Sequence, residues 1–152
     1  MSTPERTRPK SAAAADPGRE AWILMRELFL ATKPRMLALA SELDLAPMQM
    51  HALQLLEPGT ELPMSAMAGS LHCDPSNVTG IVDRLEARGL IERRPSPGDR
   101  RVKMLAVTPE GEQLREILME RFDTPPESLA SLSRAEQRAL RDLLRKAHAG
   151  SV

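Results

Sequence analysis

The sequence has one cysteine, two phenylalanines, one tryptophan and no tyrosine among its 152 residues. A single thiol excludes a disulfide framework within the chain and a cysteine-based zinc site. No long uncharged apolar run is present, so no segment reads as membrane-spanning, and the polar, proline-bearing start does not read as a secretory signal. A soluble cytoplasmic protein is the expectation. Gly-rich phosphate loops, nucleophile elbows and convergent acid pairs are also missing, so the sequence predicts no enzyme, no cofactor and no metal site. Nor is there an excess of charge of either sign, because 21 basic side chains balance 21 acidic ones. Taken over the whole chain, that balance argues against a nucleic-acid binder, which usually has a basic surplus.

The zero conceals unlike parts. Residues 84–103 hold Arg84, Arg88, Arg93, Arg94, Arg100, Arg101 and Lys103 against Glu86, Glu92 and Asp99, a local excess of +4. Fields beyond a Debye length are screened, so a local basic patch attracts phosphate whatever the total. Charge alone leaves a second reading open, a solvated surface in an arginine-rich chain.

Patterning divides the chain into four parts. Residues 1–18 lack apolar periodicity and read as a flexible tail. Residues 19–46 turn apolar through Trp22, Ile23, Met25, Leu28, Phe29, Met36, Leu37 and Leu43, predicting a long helix buried on much of its circumference. Pro34 kinks or divides it. Residues 47–108 begin with a helix opened by Pro47. Two short patterns at i, i+3, i+4 and i+7 follow, Met64/Met67/Ala68/Leu71 and Val78/Ile81/Val82/Leu85, with Asp74 placed to cap the second. Two strands around a Pro95-Ser96-Pro97-Gly98-Asp99 turn complete this part. Residues 109–149 contain a helix started by Thr108-Pro109-Glu110, a break at Pro125-Pro126, and a last helix opened by the capping box Ser133-x-x-Glu136.

Two short helices joined by a tight turn and followed by a hairpin describe a winged helix-turn-helix. Opposite its apolar stripe, the second helix shows Ser76, Asn77, Thr79, Gly80 and Arg84. These are short hydrogen-bonding groups at the end where a recognition helix meets base edges, a glycine that permits close approach, and an arginine that reaches phosphate or guanine. The hairpin tip carries Arg100 and Arg101, which suit the negative potential of a minor groove. Asp99 is placed to orient Arg101 through a charge-assisted pair.

The run Val82-Asp83-Arg84-Leu85-Glu86-Ala87-Arg88-Gly89-Leu90-Ile91-Glu92-Arg93 resembles the helix-to-wing segment of MarR-family transcriptional regulators. Gly98-Asp99-Arg100-Arg101 and Leu105-Ala106-Val107-Thr108-Pro109-Glu110-Gly111 resemble that family's D-x-R wing and L-T-x-x-G continuation. The resemblance is dense from Met64 to Gly111. It implies a mainly α fold with a small β-wing, a winged helix-turn-helix with N- and C-terminal dimerisation helices. It further implies a homodimer on a pseudo-palindromic double-stranded DNA operator, usually repressing, with small ligands often binding between the dimer and DNA-binding regions. By the same resemblance Ser76, Asn77, Thr79 and Arg84 meet the major groove or its phosphates, Arg101 enters the minor groove, and Arg100 lies near the backbone. Pro34 and Pro125-Pro126 depart from the family's long terminal helices.

Dimerisation also follows from the residues, since two terminal apolar stripes at opposite ends of a small core are both buried by pairing two chains. Trp22, Met25, Met36 and His51 are candidate contacts for a small-molecule effector, although a methionine stripe at helical spacing also reads as core. His72-Cys73-Asp74 reads as a turn before a cap rather than a metal or redox site. The leading expectation is a ligand-responsive transcriptional repressor. The alternative, a winged-helix protein–protein adaptor without DNA affinity, requires an apolar exposed face on the second helix.

Overall fold

The computed structural model describes residues 16–150, and the expected flexible tail lies outside them but for its last three residues. The chain divides into two compact units, Met1–Pro34 and Arg35–Val152. Among the described residues, no helix is long and apolar enough to cross a membrane.

The first unit contributes helix α1, Pro17–Ala31, whose start is capped by the Asp16 carboxylate accepting the Gly18 N–H at 3.0 Å. Pro34 divides the apolar stretch as its fixed φ and missing N–H dictate: α1 stops at Ala31 and α2 runs Lys33–Glu42, with the proline in its first turn. The expected burial of the first segment is not met. No α1 residue is buried in the single chain, and Trp22 and Phe29 are 63% and 73% exposed.

The second unit holds the core. Helix α3, Pro47–Leu55, starts where Pro47 predicts. Ala46 offers no side chain to cap the first-turn N–H groups, and the Gln49 side chain reaches back to accept the Ala46 N–H at 2.8 Å. Helices α4, Met64–Leu71, and α5, Pro75–Ala87, meet through the turn at His72. Asp74 stands at the start of α5, but its carboxylate makes no capping bond. The N–H of Asn77 that it was placed to receive donates instead to the Asp74 backbone carbonyl at 3.0 Å.

Strands β1, Leu62–Pro63, β2, Ile91–Pro95, and β3, Lys103–Val107, form one antiparallel sheet in the order β1-β3-β2. Register pairs Arg93 with Leu105 and Leu62 with Leu105 on its other edge. β1 was not anticipated, because two residues carry no alternation to read. Val78, Val82 and Leu85 of α5 are fully buried, as their helical spacing predicts, against a cluster that includes Leu53, Met67, Ile91, Leu105 and Leu118.

Helix α6, Pro109–Asp123, is followed by the short α7, Glu127–Ala130, and by α8, Arg134–Ala149. The Ser133/Glu136 capping box forms as predicted, with Ser133 N–H donating to Glu136 at 2.8 Å. Hydrogen bonds from the Ser133 hydroxyl and N–H hold the Glu136 carboxyl below its ordinary range. α8 has an apolar stripe, yet none of its residues is buried, and Leu143 is 66% exposed.

One junction ties α5, the wing and α6 together. α5 ends at Gly89, whose φ of +69° suits glycine, with Leu90 N–H donating back to Leu85 at 3.0 Å. The Thr108 N–H reaches the Leu90 carbonyl at 3.1 Å, its hydroxyl donates to the Gly89 carbonyl at 2.5 Å, and the same hydroxyl oxygen caps α6 by accepting Gly111 N–H at 3.1 Å. A Cβ at Gly111 would lie 1.9 Å from the Leu90 carbonyl oxygen, so no side chain fits. Gly111→Ala is expected to cost at least about 3 kcal/mol, lowering the thermal midpoint by roughly 10 °C or preventing folding. Thermal melts followed by circular dichroism check this, and an unchanged midpoint refutes the close-packed junction.

Candidate nucleic-acid interface

Burial of Val78, Val82 and Leu85 turns the opposite side of α5 outward, and Ser76, Asn77, Thr79, Gly80 and Arg84 are all exposed. Four of them, Ser76, Asn77, Gly80 and Arg84, line one shallow groove of about 400 Å³ that continues onto Met48 and Gln49 of α3. Thr79 is not among its lining residues. Its hydroxyl donates to the Pro75 carbonyl at 3.0 Å, which leaves the oxygen free to accept but commits the proton to the helix. No side-chain atom lies within 4 Å of the position a Cβ would take at Gly80, so nothing inside the protein requires glycine there.

The wing tip is built by Asp99, though not in the way the sequence suggests. Its carboxylate accepts the backbone N–H of Arg101 at 2.9 Å, and its carbonyl accepts the N–H of Val102 at 3.0 Å. Residues 99–102 therefore form a β-turn with Arg100 and Arg101 at its two central positions. The predicted Asp99–Arg101 ion pair is absent. An Asx-type bond two residues on competes for the same short carboxylate, and it shapes the backbone beneath the guanidinium instead of holding the guanidinium itself.

The basic stretch separates into two sets. Arg93 on β2 places its guanidinium between Asp83 and Glu86 of α5, and its backbone N–H also donates to Glu86 at 3.2 Å. Those bonds hold the Arg93 proton more tightly than usual against the opposing effect of burial. Arg94 bridges Glu61 at 3.1 Å and Glu92. Arg88 donates to the carbonyls of Leu43 and Asp44. By contrast, among the described residues, Arg84, Arg100, Arg101 and Lys103 form no ion pair. Lys103, opposite Pro95 in the sheet, was not among the predicted site residues. Its signal was its place beside the wing arginines in the basic stretch.

The sequence model of the MarR family matches residues 45–103, from the start of α3 to the return strand of the wing. The uncharacterized HTH-type transcriptional regulator YfiV of Bacillus subtilis (strain 168) is 30% identical over 123 residues, covering 80% of this chain and 77% of that protein. The chain belongs to the MarR family. Another relative, the HTH-type transcriptional repressor MdtR of the same organism, is 35% identical over 95 residues, 62% of this chain and 61% of MdtR. Across curated MarR-type relatives the chain spans between 47% and 77% of their length. The structure of a MarR family protein from Bacillus stearothermophilus matches the fold with a TM-score of 0.78 at 26% identity, over 92% of this chain and 99% of that one.

The other singled-out residues fall elsewhere. Trp22 and Met25 are exposed on α1, His51 is exposed on α3, and Met36 packs against the core. His72 takes the left-handed position that ends α4 (φ 51°), and Cys73 is half-buried with its thiol donating to the Leu71 carbonyl at 3.3 Å. That arrangement is a helix end. Among the described residues, no group of His, Cys, Asp and Glu is arranged to hold a metal ion.

The division of the MarR-family arginines into paired and unpaired sets is measurable without any ligand. Arg93→Met is expected to lower folding stability by about 1 kcal/mol or more, whereas Arg101→Met stays within about 0.5 kcal/mol of wild type. Urea denaturation of the two variants checks this, and equal losses would contradict it.

Proposed function

We propose that this MarR-family chain is a sequence-specific double-stranded DNA-binding transcriptional regulator, a repressor acting as a homodimer on a pseudo-palindromic operator. The observation that carries the reading is the exposed polar face of α5 beside a wing whose two tip arginines have no acidic partner. Ser76, Asn77, Thr79 and Gly80 offer small donors and acceptors to base edges, Arg84 a guanine or phosphate contact, and Arg100 and Arg101 a minor-groove and backbone contact. Asp99 presents the two arginines through its turn. An adaptor without DNA affinity is not favoured, because its docking face on α5 would have to be apolar.

Dimerisation is supported by apolar surface that the single chain leaves uncovered on α1 and α8. It supplies the two copies of α5 that a palindrome needs. The regulator's relatives include proteins named as transcriptional repressors, MdtR among them. No enzymatic activity is part of this proposal, and its place of action is the cytoplasm, where operator DNA is. Release by a small-molecule effector is its regulatory half, with Trp22, Met25, Met36 and His51 as candidate contacts. Trp22 is the one tryptophan of the sequence, so its emission reports on that region.

The test is fluorescence anisotropy with duplexes from the region upstream of the gene. Wild type is expected to bind one such duplex as two chains per site, and Arg101→Ala to weaken that binding by about 10- to 100-fold. Gly80→Ala separates fold from interface. Alanine is expected to raise stability by about 1 kcal/mol because it replaces a mid-helix glycine. It weakens DNA binding all the same, because the added methyl group stands on the reading face. Tighter binding by Gly80→Ala, or an unaffected Arg101→Ala, would sink the assignment of this face. A ligand that shifts Trp22 emission while lowering operator affinity supports the effector half; a shift in emission with affinity unchanged counts against it.

A further inference from the structure

Helix α2 ends in a way that leaves work for another element. Asp44 takes a left-handed backbone conformation (φ 51°), its N–H donates to Ser41 at 3.2 Å, and Leu45 N–H donates to Ala40 at 2.8 Å. This Schellman arrangement satisfies the carbonyls of Ala40 and Ser41. It leaves the later carbonyls, those of Leu43 and Asp44 among them, without a donor from their own helix. Arg88 fills the gap from the far end of α5: its Nη2 donates to Leu43 at 3.3 Å, and its Nη1 donates to Asp44. A cation at a helix C-terminus also complements the macrodipole. Arg88 is not needed by its own helix, since α5 closes through Gly89 N–H to Glu86 at 2.8 Å and Leu90 N–H to Leu85 at 3.0 Å. Arg84, one turn earlier on α5, lines the same groove as Arg88, Asp44, Ala46 and Gln49.

We infer that Arg88 is a positioning residue that clasps the end of α2 to the end of the recognition helix, and thereby sets the half-site spacing the dimer accepts. This rests on the regulator reading above. Both Nη groups are committed to backbone carbonyls, so the basic residue nearest the end of α5 fixes its orientation and does not grip phosphate. α2 is tied in turn to α6, where Arg35 donates to the Arg121 carbonyl at 2.6 Å and Arg121 bridges Glu42 at 3.0 Å, so a helix held to α2 keeps a defined relation to the first of the C-terminal helices expected to pair the chains. A bidentate guanidinium fork does this where a point ammonium does not.

The experiment measures wild type, Arg88→Ala and Arg88→Lys by anisotropy on operators whose half-site separation is lengthened or shortened by one or two base pairs. Amide exchange of the free proteins is followed in parallel. Wild type is expected to bind best at one spacing and to fall off sharply around it. Arg88→Ala binds the native spacing about tenfold more weakly, yet discriminates little between spacings, with an unchanged salt slope. Arg88→Lys keeps the charge and still follows the alanine variant. Residues 43–46 exchange faster in both variants without DNA. Equal weakening at every spacing with a shallower salt slope would make Arg88 a phosphate contact and overturn the clasp, as would wild-type exchange rates at residues 43–46 in Arg88→Ala. Failure of the wild type to bind any duplex would instead overturn the regulator reading, and it shows in the wild-type arm alone.

Discussion

A single guanidinium, that of Arg93, lies between two carboxylates of α5, and the relation of that helix to the wing depends on it. Asp83 and Glu86 are three residues apart on α5, so they stand on one side of the helix and grip one cation from the adjacent strand β2. Exposed ion pairs contribute only about 0.2–1 kcal/mol each. A shared guanidinium reinforced by a backbone bond lies at the upper end of what such contacts give, and its larger effect is geometric. It fixes the wing against the helix, so that the groups proposed for two different grooves keep one separation.

The second constraint is steric. At the junction of residues 89–90 with 108–111, the end of the recognition helix, both strands of the wing and the first turn of α6 meet where only a hydrogen atom fits on Gly111. A displacement of α6 is therefore felt at the wing. α5 is held on three sides, by its buried valines and leucine, by Arg93 from the wing and by Arg88 toward α2. What stays unconstrained is its outward face and the wing tip.

Much of this was legible in the sequence. Val78, Ile81, Val82 and Leu85 announce the buried side of α5 and so its exposed side. Pro47, Thr108 and the Ser133/Glu136 pair announce helix starts and Pro34 a helix break, because proline and capping residues act locally. The Gly89 and Gly111 positions follow from motif resemblance, though the reason for Gly111 is a contact with Leu90 that no local pattern shows. Less legible were features that depend on pairing. β1 exists only because β3 offers it an edge. The sequence counts Arg93 and Arg94 as free positive charge, whereas the fold delivers each to acids, some nearby and some distant in the chain. The sequence pairs Asp99 with the Arg101 guanidinium, whereas the carboxylate accepts the Arg101 backbone N–H, since proximity in sequence favours the N–H over the mobile guanidinium. The apolar face of α1 is plain in the sequence, and the single chain does not bury it.

The neutral total thus acquires a physical meaning: paired arginines build the site and unpaired ones are left for phosphate. Salt dependence of operator binding tests this most directly, because each phosphate neutralised contributes about −0.9 to the slope of log K against log salt. Arg84, Arg100, Arg101 and Lys103 are the four cations of residues 84–103 that have neither an acidic partner nor both Nη groups committed, and two protomers present eight. A slope no steeper than about −7 is expected, unchanged in Arg94→Gln. A slope near −13, which engagement of all seven basic residues of that stretch in both protomers would give, or one near zero, would contradict it.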